Sequence, residues 1–357
     1  MAENMASQRG HGVQKVITKI DNLVKNGNYY EAHQMYKSLY FRLLGQKKYD
    51  GLLNLLYEGA TTLLSHDQQI SGIDLANLYI DVLVKSNMKP LDDNIRNLAR
   101  IFSLISCTLP DRETFLASAV KWSMTGGNRG GSPFLHQLIA EVYWKEKNYT
   151  MARRHYLRSY DGLGFGTMLV EVHKTSGYLS EVDLFIAQVV LQCLCLKNKK
   201  TAVITFECYT TQHPQISKGP PYLLPLLNFI WFLLQAVEGG RLAAFTVLCE
   251  QYQLSIERDP SYSHYLEKIG QLFFGVTPPT YRRPPPTGIL GDLFQSLVQS
   301  IDDYTTSDDE DVAFTGGQRA RPGQRQQQGE SSRGRSSRPG ASGSNPASPI
   351  VMDTELD

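Results

Sequence analysis

A nine-residue block occurs twice in this chain, 120 positions apart. Asn28-Tyr29-Tyr30-Glu31-Ala32-His33-Gln34-Met35-Tyr36 aligns with Asn148-Tyr149-Thr150-Met151-Ala152-Arg153-Arg154-His155-Tyr156, and the Asn, first Tyr, Ala and last Tyr coincide. Lys48-Tyr49-Asp50-Gly51-Leu52 is a weaker third copy. A tyrosine opening a helix can pack over the preceding turn, and a small alanine one turn later lets two helices approach closely. One such pair cannot bury its own apolar face, so pairs must stack on neighbours into a solenoid.

The block resembles the junction inside a tetratricopeptide-type helix pair, whose repeat is about 34 residues. The rest of the chain agrees. Apolar residues recur three and four apart, as in Val16, Ile20, Leu23, Val24 and again in Ile95, Leu98, Ala99, Phe102, which is helical spacing. Short polar or glycine-containing breaks separate the segments at Asn26–Asn28, Gly45–Lys48, Lys89-Pro90, Gly126–Pro133, Gly162–Gly166 and Gly239-Gly240. No stretch shows sustained strand alternation bounded by hairpin signals. The predicted fold is all-α, an α-solenoid of stacked tetratricopeptide-like helix pairs. A long irregular connection through His213-Pro214 and Gly219–Pro221 leaves room for a short β-hairpin in the C-terminal half.

Residues 1–12 are expected to be unstructured. Residues 13–150 form the N-terminal half of the solenoid and 151–276 the C-terminal half. The second half is the more apolar: Val182–Leu196 and Leu223–Val237 are hydrophobic nearly all round, as in helices buried on several sides or awaiting a partner. A stiff proline-rich linker follows at 277–287, then an amphipathic segment at 288–301. Residues 302–357 open with acids and continue with arginines among Gly, Ser and Gln, a composition that buries too little apolar surface to offset ordering entropy and predicts disorder.

The function classes narrow quickly. The formal net charge is +1 over 357 residues, so no global field favours nucleic acid or a membrane surface. The tail's six arginines are outnumbered by ten acids from Asp302 on, so direct nucleic-acid binding is not expected. The apolar run Tyr222–Val237 is shorter than the ~20 residues of a bilayer span, and Asn228 and Gln235 interrupt it; a buried helix is expected rather than membrane insertion. The N-terminus lacks the apolar stretch of a secretory signal. Five cysteines, an odd and sparse set, argue against a disulfide framework and suit a reducing compartment.

No catalytic constellation is legible. A phosphate loop, an HExxH and a GxSxG are all missing from the sequence. Gly162–Gly166, GLGFG, misses the dinucleotide spacing because Thr167 stands where the last glycine belongs. Cys193 and Cys195 lie on different faces of one apolar helix and suit small core residues, and His33 and His155, at neighbouring repeat positions, suit packing. No cofactor, metal site or enzymatic activity is expected.

Longer blocks carry a specific resemblance. Tyr29–Arg42 (YYEAHQMYKSLYFR), Val182–Lys199, Pro225–Val237, Phe245–Tyr252 and Tyr265–Val276 closely resemble the fourth Golgi-to-ER-traffic protein family, in order, from about Val13 to Ile301. GILGDLFQSL after the linker and the terminal ELD resemble its animal branch. The resemblance implies a cytosolic, non-catalytic scaffold subunit of the GET (transmembrane recognition complex) pathway. It implies a targeting ATPase bound by the N-terminal half, and a ubiquitin-like adapter and the Scythe-type ubiquitin-like scaffold bound by the C-terminal half. It implies handover of newly made tail-anchored membrane proteins to the ATPase for ER insertion, and support for quality control of mislocalised proteins. The arginine-rich stretch Arg319–Arg338 departs from the family pattern. The alternative is a generic helical-repeat scaffold of another assembly such as a proteasome-lid-like complex, against which the missing C-terminal winged-helix module speaks.

Two candidate surfaces follow. Arg42, Lys47 and Lys48 are the cations on the polar surface left once the Tyr29–Lys48 stripe is buried, and are assigned to ATPase docking. Leu226, Phe229 and Ile230 belong to a helix with too many apolar residues for one buried stripe, and Phe273 and Phe274 come just before the solenoid ends. These five are assigned to an adapter or scaffold groove that a partner segment would complete.

Overall fold

The computed structural model describes residues 2–277, with side chains described from residue 12 onward. Fifteen α-helices and two short 3-10 turns make up the described residues, with no strand among them. The first eight helices are α1 (Ala2–Lys25), α2 (Tyr29–Gly45), α3 (Tyr49–Ser65), α4 (Gln69–Lys85), α5 (Asp92–Leu104), α6 (Asp111–Ser123), α7 (Pro133–Lys145) and α8 (Tyr149–Tyr156). They stack as antiparallel neighbours in two layers: α3, α5 and α7 lie side by side in one, α2, α4 and α6 in the other.

The turns after α1, α2, α3 and α4 share one geometry. Gly27, Lys47, Asp67 and Asn87 have left-handed φ values of 77°, 55°, 59° and 51°. At each, two backbone amides bond back into the helix just ended: Lys47 N to Leu44 O at 2.9 Å and Lys48 N to Leu43 O at 3.2 Å, for example, or Asp67 N to Leu64 O at 3.0 Å and Gln68 N to Leu63 O at 2.9 Å. This is the Schellman closure, which satisfies the last carbonyls and stops the helix. Lys147 and Lys197 repeat it. The four first positions are 20 residues apart, so a helix pair occupies twice that, longer than the ~34 residues of a tetratricopeptide unit. All three copies of the sequence block sit directly after such a turn. Ala32 and Ala152 are wholly buried, Tyr29 packs its ring 5.2 Å from that of His66, and Tyr149 donates its hydroxyl to Glu171 at 2.7 Å.

The second half comprises α9 (Gly162–Ser176), α10 (Val182–Cys195), α11 (Lys199–Gln212), α12 (Pro225–Gly239), α13 (Leu242–Gln251), α14 (Gln253–Ile256) and α15 (Ser261–Phe274). Here α10 is the central helix, touched by α9, α11, α12 and α15, which is why it is hydrophobic all round. The glycines of GLGFG serve helix packing. A Cβ on Gly162 would lie 2.9 Å from Thr201 O, and one on Gly166 would lie 3.0 Å from Thr205 O. One turn apart on α9, they bring its backbone against that of α11.

Several sequence expectations change. Helix α1 begins at Ala2, so residues 2–12 are helical rather than unstructured. The division at 150/151 falls in the first turn of α8, and the described residues on both sides of it belong to one compact unit. The connection from 213 to 224 contains turns and no hairpin. The linker beyond Thr277, the amphipathic segment 288–301 and the tail 302–357 lie outside the described residues.

Candidate functional site

The N-terminal cations stand where their sequence suggests. Arg42 occupies the last turn of α2, Lys47 the left-handed turn position, and Lys48 the cap of α3. All three are exposed, and no ion pair among the described residues engages them. Behind them, two polar rungs tie α2 to α4. His33 Nε2 and Lys37 Nζ reach Asp74 at 2.7 and 3.0 Å, and one heptad on, Tyr40 donates to Asp81 at 2.7 Å beside Lys85. Burial pushes the Asp74 carboxyl up, but the bonds from Lys37 and His33 outweigh it and leave it below its usual range. Sequence reasoning missed the apolar partners of this surface: Tyr30, Phe41, Ile70 and Val84 are all largely exposed on α2 and α4.

The proposed C-terminal groove divides. Leu226, Phe229 and Ile230 are 0% exposed, so they are core residues of α12 and not an open surface. The reason is that α12 sits between α10, α13 and α14, and Phe229 packs its ring against Tyr252 at 5.8 Å. Phe273 and Phe274 stay half-buried. The Lys199 ammonium lies 5.5 Å from the Phe273 ring centre, and Phe274 stacks on Phe245 at 4.6 Å. Open apolar surface lies elsewhere in this half: a cleft of about 210 Å³ between α10 and α12 is lined by Leu179, Val182, Ile216, Tyr222, Leu223, Leu224 and Leu227. Its rim residues Leu179 and Leu223 are 74% and 85% exposed.

The α14–α15 connection and α15 are tied to α10 by polar contacts. Arg258 forks onto Asp183 at 2.5 and 3.1 Å and donates to Ser180 O at 2.9 Å; Asp183 is 0% exposed. Gln192 bonds the Tyr265 hydroxyl at 2.9 Å and accepts from Arg153 at 3.0 Å.

Four of the histidines form two matching relays. His136 Nε2 lies 2.8 Å from Gly130 O, which can only accept, so that nitrogen carries the proton and His136 Nδ1 accepts from His155 Nδ1 at 2.8 Å. His173 Nε2 likewise donates to Tyr178 O at 2.9 Å and accepts on Nδ1 from His213 Nε2 at 2.9 Å. Burial pushes the His136 and His213 pKa values down to about 4 and holds His155 well below the ordinary histidine value; both pairs are structural ties. Burial also raises the Cys193 and Cys195 thiols to about 12, far from a reactive thiolate. Among the described residues no group of three or more His, Cys, Asp or Glu side chains is placed to hold a metal, and no helix is long and apolar enough to cross a membrane.

The fold and its surfaces define a class: a helical-repeat protein of stacked pairs, with unpaired exposed cations and exposed apolar side chains on its surface. A family model described as Golgi to ER traffic protein 4 matches residues 46–298. The Golgi to ER traffic protein 4 homolog of Oryzias latipes is 52% identical over 292 residues, covering 82% of this chain and 90% of that protein. The Homo sapiens homolog is 50% identical over 299 residues, covering 84% and 90%. The crystal structure of C. therm. Get4 superposes with a TM-score of 0.68 at 24% identity, over 80% of this chain and 95% of that one, a likeness of fold. The chain belongs to the Golgi to ER traffic protein 4 family.

Proposed function

We propose that the chain is a non-enzymatic scaffold subunit of a cytosolic complex that hands newly made tail-anchored membrane proteins to a targeting ATPase for ER insertion and supports quality control of mislocalised proteins. Family membership over residues 46–298 carries this reading. The ATPase docks on the α2–α3 end, where Arg42, Lys47 and Lys48 offer unpaired charge beside exposed Phe41. Rim charges of this kind act mainly on association rate and its salt dependence, while an exposed aromatic supplies contact area. The ubiquitin-like adapter and the Scythe-type scaffold dock on the C-terminal half, on half-buried Phe273 and Phe274. Reconstitution tests the reading. Transfer of a tail-anchored substrate to the purified ATPase should be faster with the chain and adapter together than with either alone. Equal transfer with and without the chain overturns it.

A further inference from the structure

A third surface lies between these two ends. Three inter-helix connections converge on one cleft of about 320 Å³: the loop before α7, which brings Arg129; the segment after α8, which brings Arg158 and Tyr160; and the α10–α11 turn, which brings Lys197. Among the described residues no carboxylate lines it. The nearest acid in sequence, Asp161, is engaged in capping α9 through the Gly164 amide at 2.9 Å. Arg129 and Lys197 are exposed and have no ion-pair partner among the described residues.

The walls are built rather than loose. Lys197 sits in a Schellman turn closed by Lys197 N to Leu194 O and Asn198 N to Cys193 O, both 2.9 Å. The Asn198 side chain donates to Ser159 O at 2.8 Å, locking that turn to the Arg158–Tyr160 segment. On the opposite wall the buried His136 holds Gly130 O at 2.8 Å. These bonds fix where the cations leave the backbone, while their long exposed side chains still have to order when an anion binds. Between them lie the half-buried Leu157 and Leu196, with Tyr160 67% exposed at the rim.

We propose that this cleft binds an extended acidic peptide segment of a partner protein, carboxylates on Arg129 and Lys197 and an apolar side chain against Tyr160. The mixture of separated cations with apolar contact area suits a peptide better than a free inorganic anion, which would use the cations alone. A nucleic acid would call for a longer basic track and several stacking rings, where the cleft has a single exposed aromatic among its lining residues. The surface is distinct from the two docking ends proposed above and does not depend on them.

The test uses the full chain and fluorescence anisotropy. The probes are a labelled acidic peptide of about twelve residues carrying one Phe, its Gln/Asn counterpart, an oligouridine of equal charge, and inorganic phosphate as competitor. The acidic peptide should bind about tenfold or more tighter than its neutral counterpart at low salt, as charge pairing at a partly exposed site requires. Arg129→Gln with Lys197→Asn should weaken it about tenfold. Asn tolerates the left-handed backbone there, so the circular dichroism melt should be unchanged; Arg129→Gln alone, expected to weaken binding in the same direction, stands in if the double variant melts early. Lys47→Glu with Lys48→Glu should leave peptide binding intact. Equal binding of the neutral peptide, undiminished binding by the Arg129 variants, tighter binding of the oligouridine, or displacement by phosphate at peptide-like concentrations would each overturn the proposal.

Discussion

The two halves of the solenoid solve the same packing problem differently. From α1 to α4 each helix ends in the same left-handed turn at 20-residue spacing, and each helix is held mainly by its near neighbours in sequence, with rungs such as His33–Asp74 at the surface. From α9 onward the regularity fails. Helix α10 is enclosed by four others, and the connection leading into α15 returns across 75 residues to seat Arg258 on Asp183. Stability in the first half is therefore a sum of nearest-neighbour terms, as in a linear repeat, whereas the second half depends on one long-range closure and should lose structure as a unit.

The largest effect should come from breaking that closure. Arg258→Ala leaves Asp183 buried without its counter-charge, which typically costs about 3–5 kcal/mol. The melt followed by circular dichroism should split, with the first-half helices persisting beyond the transition of the second; a single unshifted transition would show that α15 is not the closing element. Next, Gly166→Leu drives a side chain into the backbone of α11 and should cost about 1–3 kcal/mol, read as a lower denaturation midpoint, while substitution of exposed Gly51, with nothing near its Cβ position, should not.

Acid should act on the relays. The folded pKa of His136 is depressed to about 4, so the unfolded chain binds the extra proton. The associated stability is complete above the ordinary histidine value near 6.5 and is lost as pH falls from there toward 4. At about 1.4 kcal/mol per pH unit, His136 alone accounts for about 2 kcal/mol between pH 7 and 5. His136→Asn should flatten that slope in urea midpoints measured across pH; an unchanged slope would remove the relay from the account. The smallest effect belongs to the regular half. Lys47 holds φ 55° without being glycine, so Lys47→Gly should stabilise by about 1 kcal/mol or less, seen as a small rise in Tm.

What was legible in the sequence follows the same division. The all-helical fold and the solenoid were visible because apolar spacing and the Asn28/Asn148 block are local signals, and the block does mark a recurrent turn. The assignment of Leu226, Phe229 and Ile230 to an open groove failed because an excess of apolar residues shows that a helix needs covering on several sides, and not whether the cover is this chain or another. Here it is this chain, through contacts too distant in sequence to be read from it. One clue was available: Asp183, a lone acid opening the apolar run VDLFIAQVVLQ, marks a buried charge that demands a partner. The histidine relays left no signal, since their members are 19 and 40 residues apart. Residues 2–12 form helix despite a polar composition.

If the two ends are separate docking surfaces on one scaffold, isothermal titration of the full chain against purified ATPase and purified adapter should separate them. Lys47→Glu with Lys48→Glu should weaken ATPase binding, most at low salt, and leave the adapter affinity unchanged. Phe273→Asp should cost about 2 kcal/mol or more of adapter binding and leave the ATPase affinity and the helical content unchanged. Loss of both partners from either variant, or of neither, would contradict that separation.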